Sequence, residues 1–135
     1  IPYQFTDARD FSDNGLAAFE PEDKVDVITI CGMGGGLIAE ILAAGKAKLA
    51  SVERLILQPN NREDELRAWL MTNGFKLVAE HIMTENDKYY EIMVVEHGHM
   101  HLSAEDLRFG PFLMQAKSPV LCLIFLKIVW LTALL

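Results

Sequence analysis

Phe75–Glu96, FKLVAEHIMTENDKYYEIMVVE, is the stretch that decides the fold. Its ends, Phe75–Ile82 and Tyr89–Glu96, are rich in β-branched, aromatic and long apolar residues and read as strands. Only Met83–Lys88, MTENDK, separates them. Parallel strands need a crossover of a dozen or more residues, so these two must pair antiparallel. Upstream the pattern is different. Val25–Cys31 (VDVITIC) is almost continuously apolar after Asp26, as expected of a strand buried on both faces of a parallel sheet. Leu37, Ile38, Ile41 and Leu42 follow at helical spacing, and Gly45 is placed to stop that helix. Arg54–Gln58 (RLILQ) is a second short strand, closed by Pro59. Asn60 with Glu63 offers a capping box for the next helix, whose inner face is Leu66, Trp69 and Leu70 before Asn73-Gly74 ends it. Strand–helix–strand–helix followed by a hairpin predicts an α/β sheet with an antiparallel end. Ser103–Asp106 is a second capping box, opening a helix to about Ala116.

The 135 residues suffice for one domain, and 51% apolar residues allow a sizeable core. A net charge of −7 argues against a free-standing nucleic-acid surface while leaving room for a local basic patch. Cys31 and Cys122 have neither metal-ligand nor disulfide-framework spacing and read as free thiols in a reducing cytosol. The start, IPYQFTDARDF, has neither the basic opening nor the apolar core of a signal peptide. Val120–Leu135, VLCLIFLKIVWLTALL, is a strongly apolar run of sixteen residues with Lys127 as its only charge. A bilayer span needs about 20, so a membrane anchor is not expected. His97, His99 and His101 alternate in HGHMH, yet no acid or cysteine stands at ligand spacing, so a solvated loop is expected rather than a metal site.

Three segments could carry chemistry. Cys31-Gly32-Met33-Gly34-Gly35 lies between a strand and a helix, and Gly34–Ala39 fits G-x-G-x-x-A. The acid that would hold a ribose at the end of the next strand is missing, because that strand ends in Gln58-Pro59-Asn60. Pyrophosphate binding, a structural turn, and a loop that lets a nucleoside approach by another route all remain open. Gln58, Pro59 and Asn60 leave the carboxyl end of a strand, where ligands bind in open α/β sheets, and their amides could meet the edge of a base. Asn14-Gly15-Leu16 is a turn whose polar side chains could pair with an adenine. Tyr89 and Tyr90 at the hairpin could pack or stack on a base. No general base stands out, with Asp87 and Glu91 the carboxylates at the hairpin.

An α/β sheet finished by an antiparallel hairpin is the arrangement of class I methyltransferases. The blocks CGMGGGLIAEIL, RLILQPNNREDELRAWL, KYYEIMVVEHG and LSAEDLRFGPFL, in this order and spacing, resemble the bacterial tRNA (adenine(22)-N(1))-methyltransferase family from about Gly15 to Pro119. The resemblance implies a cytoplasmic enzyme with a Rossmann-like catalytic domain and a C-terminal helical, coiled-coil region. It would move a methyl group from S-adenosyl-L-methionine to N1 of adenine 22 in tRNA. By the same resemblance, Asn14, Gly15, Leu16, Cys31, Gly32, Met33, Gly34 and Gly35 would face the cofactor, and Gln58, Pro59, Asn60 and Tyr89 the substrate. Residues 1–101 would be the C-terminal half of the catalytic domain, and 102–135 the start of the helical region with an atypical apolar tail. Family members begin with a strand and a D-I-G-S-D-H-type loop, which this sequence lacks, so an impaired cofactor site is expected; the abrupt change to an apolar tail after Pro119 suggests a truncated or frame-altered product. Two other readings stand beside this one: a non-catalytic module pairing through an open sheet edge, and an NAD-type nucleotide binder.

Overall fold

A computed structural model describes residues 16, 20–117, 119 and 120. In chain order its elements are a 3-10 turn (Pro21–Asp23), β1 (Val27–Met33), α1 (Gly35–Ala44), a 3-10 segment (Lys46–Ser51), β2 (Arg54–Pro59), α2 (Glu63–Thr72), β3 (Phe75–Glu85), β4 (Lys88–His97), α3 (Ala104–Phe109) and α4 (Pro111–Ala116). The sheet order is β1-β2-β4-β3. β1 and β2 run parallel, while β4 pairs antiparallel with both β2 and β3. The α/β sheet with an antiparallel end is therefore the one expected.

Alternation along the strands gives the sheet two unlike faces. The inner face carries Ile30, Leu55, Leu57, Phe75, Leu77, Met93 and Val95, all buried against Ile38, Ile41 and Leu42 of α1 and Leu66 and Leu70 of α2. The outer face carries Thr29 and Cys31, both exposed, with Val27 48% exposed. Across that face Arg54 meets Glu96 at 2.7 Å. The expectation that β1 is covered on both sides is thus not met by the described residues. Of its apolar run, Ile28 and Ile30 face inward while Val27 and Cys31 face outward.

The hairpin is tighter than its sequence indicates. Asn86 and Asp87 both adopt positive φ, 51° and 62°, and form a two-residue turn, so β3 and β4 run on to Glu85 and Lys88. Asn and Asp tolerate that conformation better than other side chains, which is why a primed turn forms without glycine. A second irregularity matters more. The register shifts between Leu77 and Ala79, so Val78 is an extra residue. One inserted residue reverses the alternation. Glu80 consequently faces inward opposite Met93, where it is 8% exposed.

Local caps follow the sequence in part. The Ser103 hydroxyl accepts from the Asp106 N–H at 3.1 Å, and the Asp106 carboxylate accepts from the Ser103 N–H at 3.0 Å, completing the expected box. The single helix expected to Ala116 is instead two, broken at Gly110 with φ 84°. The expected Asn60 cap on α2 does not form. Arg62 occupies the cap position in a left-handed conformation (φ 51°) with no side-chain cap. Gly45 does end α1, its N–H bonded to the Ile41 carbonyl. His97 is structural: its ring stacks on Phe75 at 4.9 Å, and Nε2 lies 2.9 and 2.8 Å from the Leu49 and Val52 carbonyls. No helix among the described residues is long and apolar enough to cross a membrane. Cys122 and residues 121–135 lie outside the described residues.

Candidate functional site

Because β1 and β2 are parallel and in register, both end at the same sheet edge, with Met33 beside Pro59. The two loops leaving that edge are laced together. The Gly32 N–H donates to Gln58 Oε1 at 2.9 Å, the Asn60 N–H to the Met33 carbonyl at 2.7 Å, and the Gly35 N–H to the Asn61 carbonyl at 2.9 Å. Gln58 Nε2 in turn donates to the Pro59 carbonyl at 3.0 Å and to Asn60 Oδ1 at 3.2 Å. Gln58 and Asn60 are thereby held in fixed orientations at the carboxyl edge of the sheet.

Two glycines have distinct reasons to be there. Gly32 sits at φ 80° where the β1 register shifts, and a Cβ there would meet nothing within 4 Å. Its left-handed backbone turns the chain out of the strand and leaves open space beside it. Gly35 is the opposite case. A Cβ there would collide with the Arg62 carbonyl oxygen and lie 2.8 Å from that of Asn61. So part of the glycine cluster serves loop-on-loop packing rather than a ligand. Replacing Gln58 by alanine removes the acceptor for Gly32 and is expected to cost about 1 kcal/mol by urea denaturation, the usual net worth of one such bond. Faster exchange of the Gly32 amide should accompany it.

Cys31 lies on the outer face opposite Gln58. Although the residue is exposed overall, desolvation of its sulfur pushes the Cys31 thiol up, against a smaller opposing effect of a hydrogen bond at Gln58. Past Leu57, which pairs with Met93, β4 continues beyond the end of β2. Alternation then separates the two tyrosines. Tyr90, paired with Met83, lies on the outer face shared by Ile92, Gln58 and Cys31. Tyr89, paired with Thr84, lies on the helix side and lines an open hollow of about 440 Å³ at the hairpin tip with Thr84, Glu85, Asn86 and Asp87.

The structure therefore brings Cys31, Gly32, Met33, Gly34, Gly35, Gln58, Pro59 and Asn60 to one edge. Leu16 is not among them. It is 4% exposed, packed on Gly45 at the far end of α1, and its apolar side chain finds the core there. Asn14 and Gly15 lie outside the described residues. Glu91, one of the two hairpin carboxylates, turns inward to Arg67 at 2.8 Å, away from the face of Gln58. Sequence reading missed the place of Tyr90, although counting by twos from the apolar Met93 would have separated it from Tyr89.

Comparison with known proteins agrees with this fold. The model of the tRNA (adenine(22)-N(1))-methyltransferase family matches residues 5–127. The Bacillus subtilis (strain 168) tRNA (adenine(22)-N(1))-methyltransferase is 44% identical over 103 residues, which is 72% of this chain and 43% of that protein. Streptococcus pneumoniae Sp1610, solved in complex with S-adenosyl-L-methionine, is 64% identical with a TM-score of 0.82. That match covers 84% of this chain and 53% of the other. A Streptococcus agalactiae protein of the NADB-Rossmann superfamily is 59% identical with a TM-score of 0.77, over 80% of this chain and 47% of its own. The chain thus spans about half the length of these relatives. With its Rossmann-type sheet, laced loops and match over most of its length, the chain belongs to the tRNA (adenine(22)-N(1))-methyltransferase family.

Proposed function

We propose that this chain forms the target-base wall of a site that methylates N1 of adenine 22 in tRNA, with S-adenosyl-L-methionine as donor. The observation that carries this is the lacing of the Gly32–Gly35 loop to Gln58–Asn60 at the carboxyl edge. Open space beside Gly32 suits a bulky nucleoside donor, which Gly32, Met33 and Gly34 would hold while Gly35 braces the loop on Asn61 and Arg62. The donor supplies an electrophilic methyl group when bound. Adenine N1 has its own lone pair, so the protein needs chiefly to aim that lone pair and exclude water. Gln58, whose own amide is engaged by Gly32, Pro59 and Asn60, orients Asn60 so that its amide nitrogen meets the base edge, and Tyr90, on the outer face with Gln58, gives a ring for an adenine that has left its stack. Asn14 and Gly15 would complete the donor side. Such a substrate places the work in the cytoplasm, and the helices from residue 102 onward would begin a separate helical region.

Tyr90 makes the reading testable. Base–aromatic stacking is worth about 1–3 kcal/mol. Tyr90→Ala should therefore weaken binding of adenosine 5′-monophosphate at least about five-fold in an NMR titration, whereas Tyr89→Ala should leave it within about two-fold. Equal effects of the two substitutions contradict this placement.

A second reading has one observation in its favour. Among the described residues no strand pairs with the outer edge of β1, where Val27 is 48% exposed. Such an edge is a template for strand addition, and self-association through it would make the chain an interaction module. A concentration-independent monomer in sedimentation equilibrium removes that reading.

A further inference from the structure

The register shift at Val78 places Glu80 on the inner face, where a second acid, Glu91, already lies on the neighbouring strand. One guanidinium serves both. Arg67 Nε donates to Glu80 Oε2 at 2.9 Å, and its NH2 group lies 2.8 Å from Glu80 Oε2 and 2.8 Å from Glu91 Oε2. The side chains of Arg67, Glu80 and Glu91 are 0%, 1% and 14% exposed. The same cluster holds the chain that follows the sheet. Arg67 NH1 donates to the Leu107 carbonyl of α3 at 2.9 Å, and Glu80 Oε1 accepts from the Phe112 N–H of α4 at 3.0 Å. Gly110, between α3 and α4, has room for no side chain: a Cβ there would lie 2.7 Å from Glu80 Oε2 and 2.8 Å from Arg67 NH2.

We propose that Arg67, Glu80 and Glu91 form a latch that holds α3 and α4 on the sheet, closed while Glu91 carries a proton and loosened when both carboxylates are charged. Two carboxylates on one cation leave one buried negative charge in excess, and relieving it requires either a proton or water. The charged groups facing Glu91 are Arg67 and Glu63 from α2 and Glu80 from β3; α3 and α4 bring the Leu107 carbonyl and the Phe112 N–H to the cluster. Burial pushes Glu91 up to about 7 despite the attraction of Arg67, with Glu63 and Glu80 adding repulsion. Arg67 is shared, so a charged Glu91 draws the guanidinium away from Glu80, which holds the Phe112 N–H, and from the Leu107 carbonyl, and the hold on both helices weakens.

The latch adjoins the carboxyl edge. Glu91 is next in sequence to Tyr90, which faces that edge, and Arg67 is on the helix that begins just after Asn60–Arg62. The placement of the C-terminal helices and the ligand face are thus joined through two short elements. This inference needs neither donor nor tRNA, so it stands or falls independently of the proposed activity.

The test is the NMR protection factor of the Phe112 amide, corrected for intrinsic exchange, in the whole chain at pH 6 and pH 8. If opening returns Glu91 from about 7 to the ordinary 4.5, protection should fall about ten-fold between those values. Glu91→Gln, a permanently neutral acceptor, should show high protection at both. Unchanged protection in the unaltered chain, or the same fall in Glu91→Gln, overturns the latch. A direct titration of the Glu91 carboxyl carbon in the unaltered chain guards against a variant that does not fold. An inflection near 7 is expected, and one near 4.5 overturns the proposal.

Discussion

Replacing Arg67 by methionine is expected to destabilise the fold by about 3–5 kcal/mol at pH 7.5, the usual result of removing one partner from a buried ion pair. Methionine fills a similar volume, so the loss comes from chemistry rather than from a cavity. Glu80 and Glu91 would be left buried with no cation, and the Leu107 carbonyl without its donor. The pH dependence gives the sign. Glu91 is already pushed up by burial, and without the opposing pull of Arg67 it prefers the neutral form more strongly in the folded state, so folding takes up a proton and stability recovers as the pH falls toward 5. Urea denaturation of the two proteins at pH 5 and 7.5 checks both parts. A loss under 1 kcal/mol at pH 7.5 contradicts the structure's inner-face charge cluster.

The next largest effect is expected at Gly35. Alanine there sets a methyl group against the Asn61 and Arg62 carbonyls, which are backbone atoms that no side-chain rotation can clear. Overpacking of this kind costs about 1–3 kcal/mol, and the two loops must part, losing the Gly35–Asn61 hydrogen bond. Gly36 is the control. Its Cβ would stand 3.5 Å from the nearest atom, a Glu65 side-chain oxygen, and alanine is the better helix former by about 1 kcal/mol. Thermal melts should therefore show Gly35→Ala well below the parent and Gly36→Ala at or above it. Equal melting points for the two variants contradict the bracing of one loop on the other.

What could be read from the sequence was what depends on local spacing. Six residues cannot hold a crossover, so the antiparallel hairpin was legible in MTENDK. The apolar spacing gave both helices, and Ser103 with Asp106 gave a cap that does form. What was not legible depends on partners far along the chain. Asn60 has the right side chain to cap α2, but its N–H is drawn to the Met33 carbonyl, and the helix starts from Arg62 instead. The shift at Val78 has no signature of its own, because a bulge is defined by the strand opposite. Without it Glu80 reads as outward-facing, and Arg67 as an ordinary surface residue on an acidic helix. Leu16 read as part of a turn near the donor because of Asn14-Gly15, whereas its apolar side chain goes to the core beside Gly45. Of the candidate site, the two loops were visible as motifs. That they are tied to each other, and that Tyr90 rather than Tyr89 shares their face, required the register.

The most direct measurement is amide chemical-shift mapping of this chain with S-adenosyl-L-homocysteine, the demethylated form of the donor. The largest shifts are expected at Gly32, Gly34 and Gly35 and at the Gln58 side-chain amide, which is bonded to that loop. Shifts confined to the hairpin tip around Thr84–Asp87, or none at millimolar ligand, contradict a donor site at the carboxyl edge.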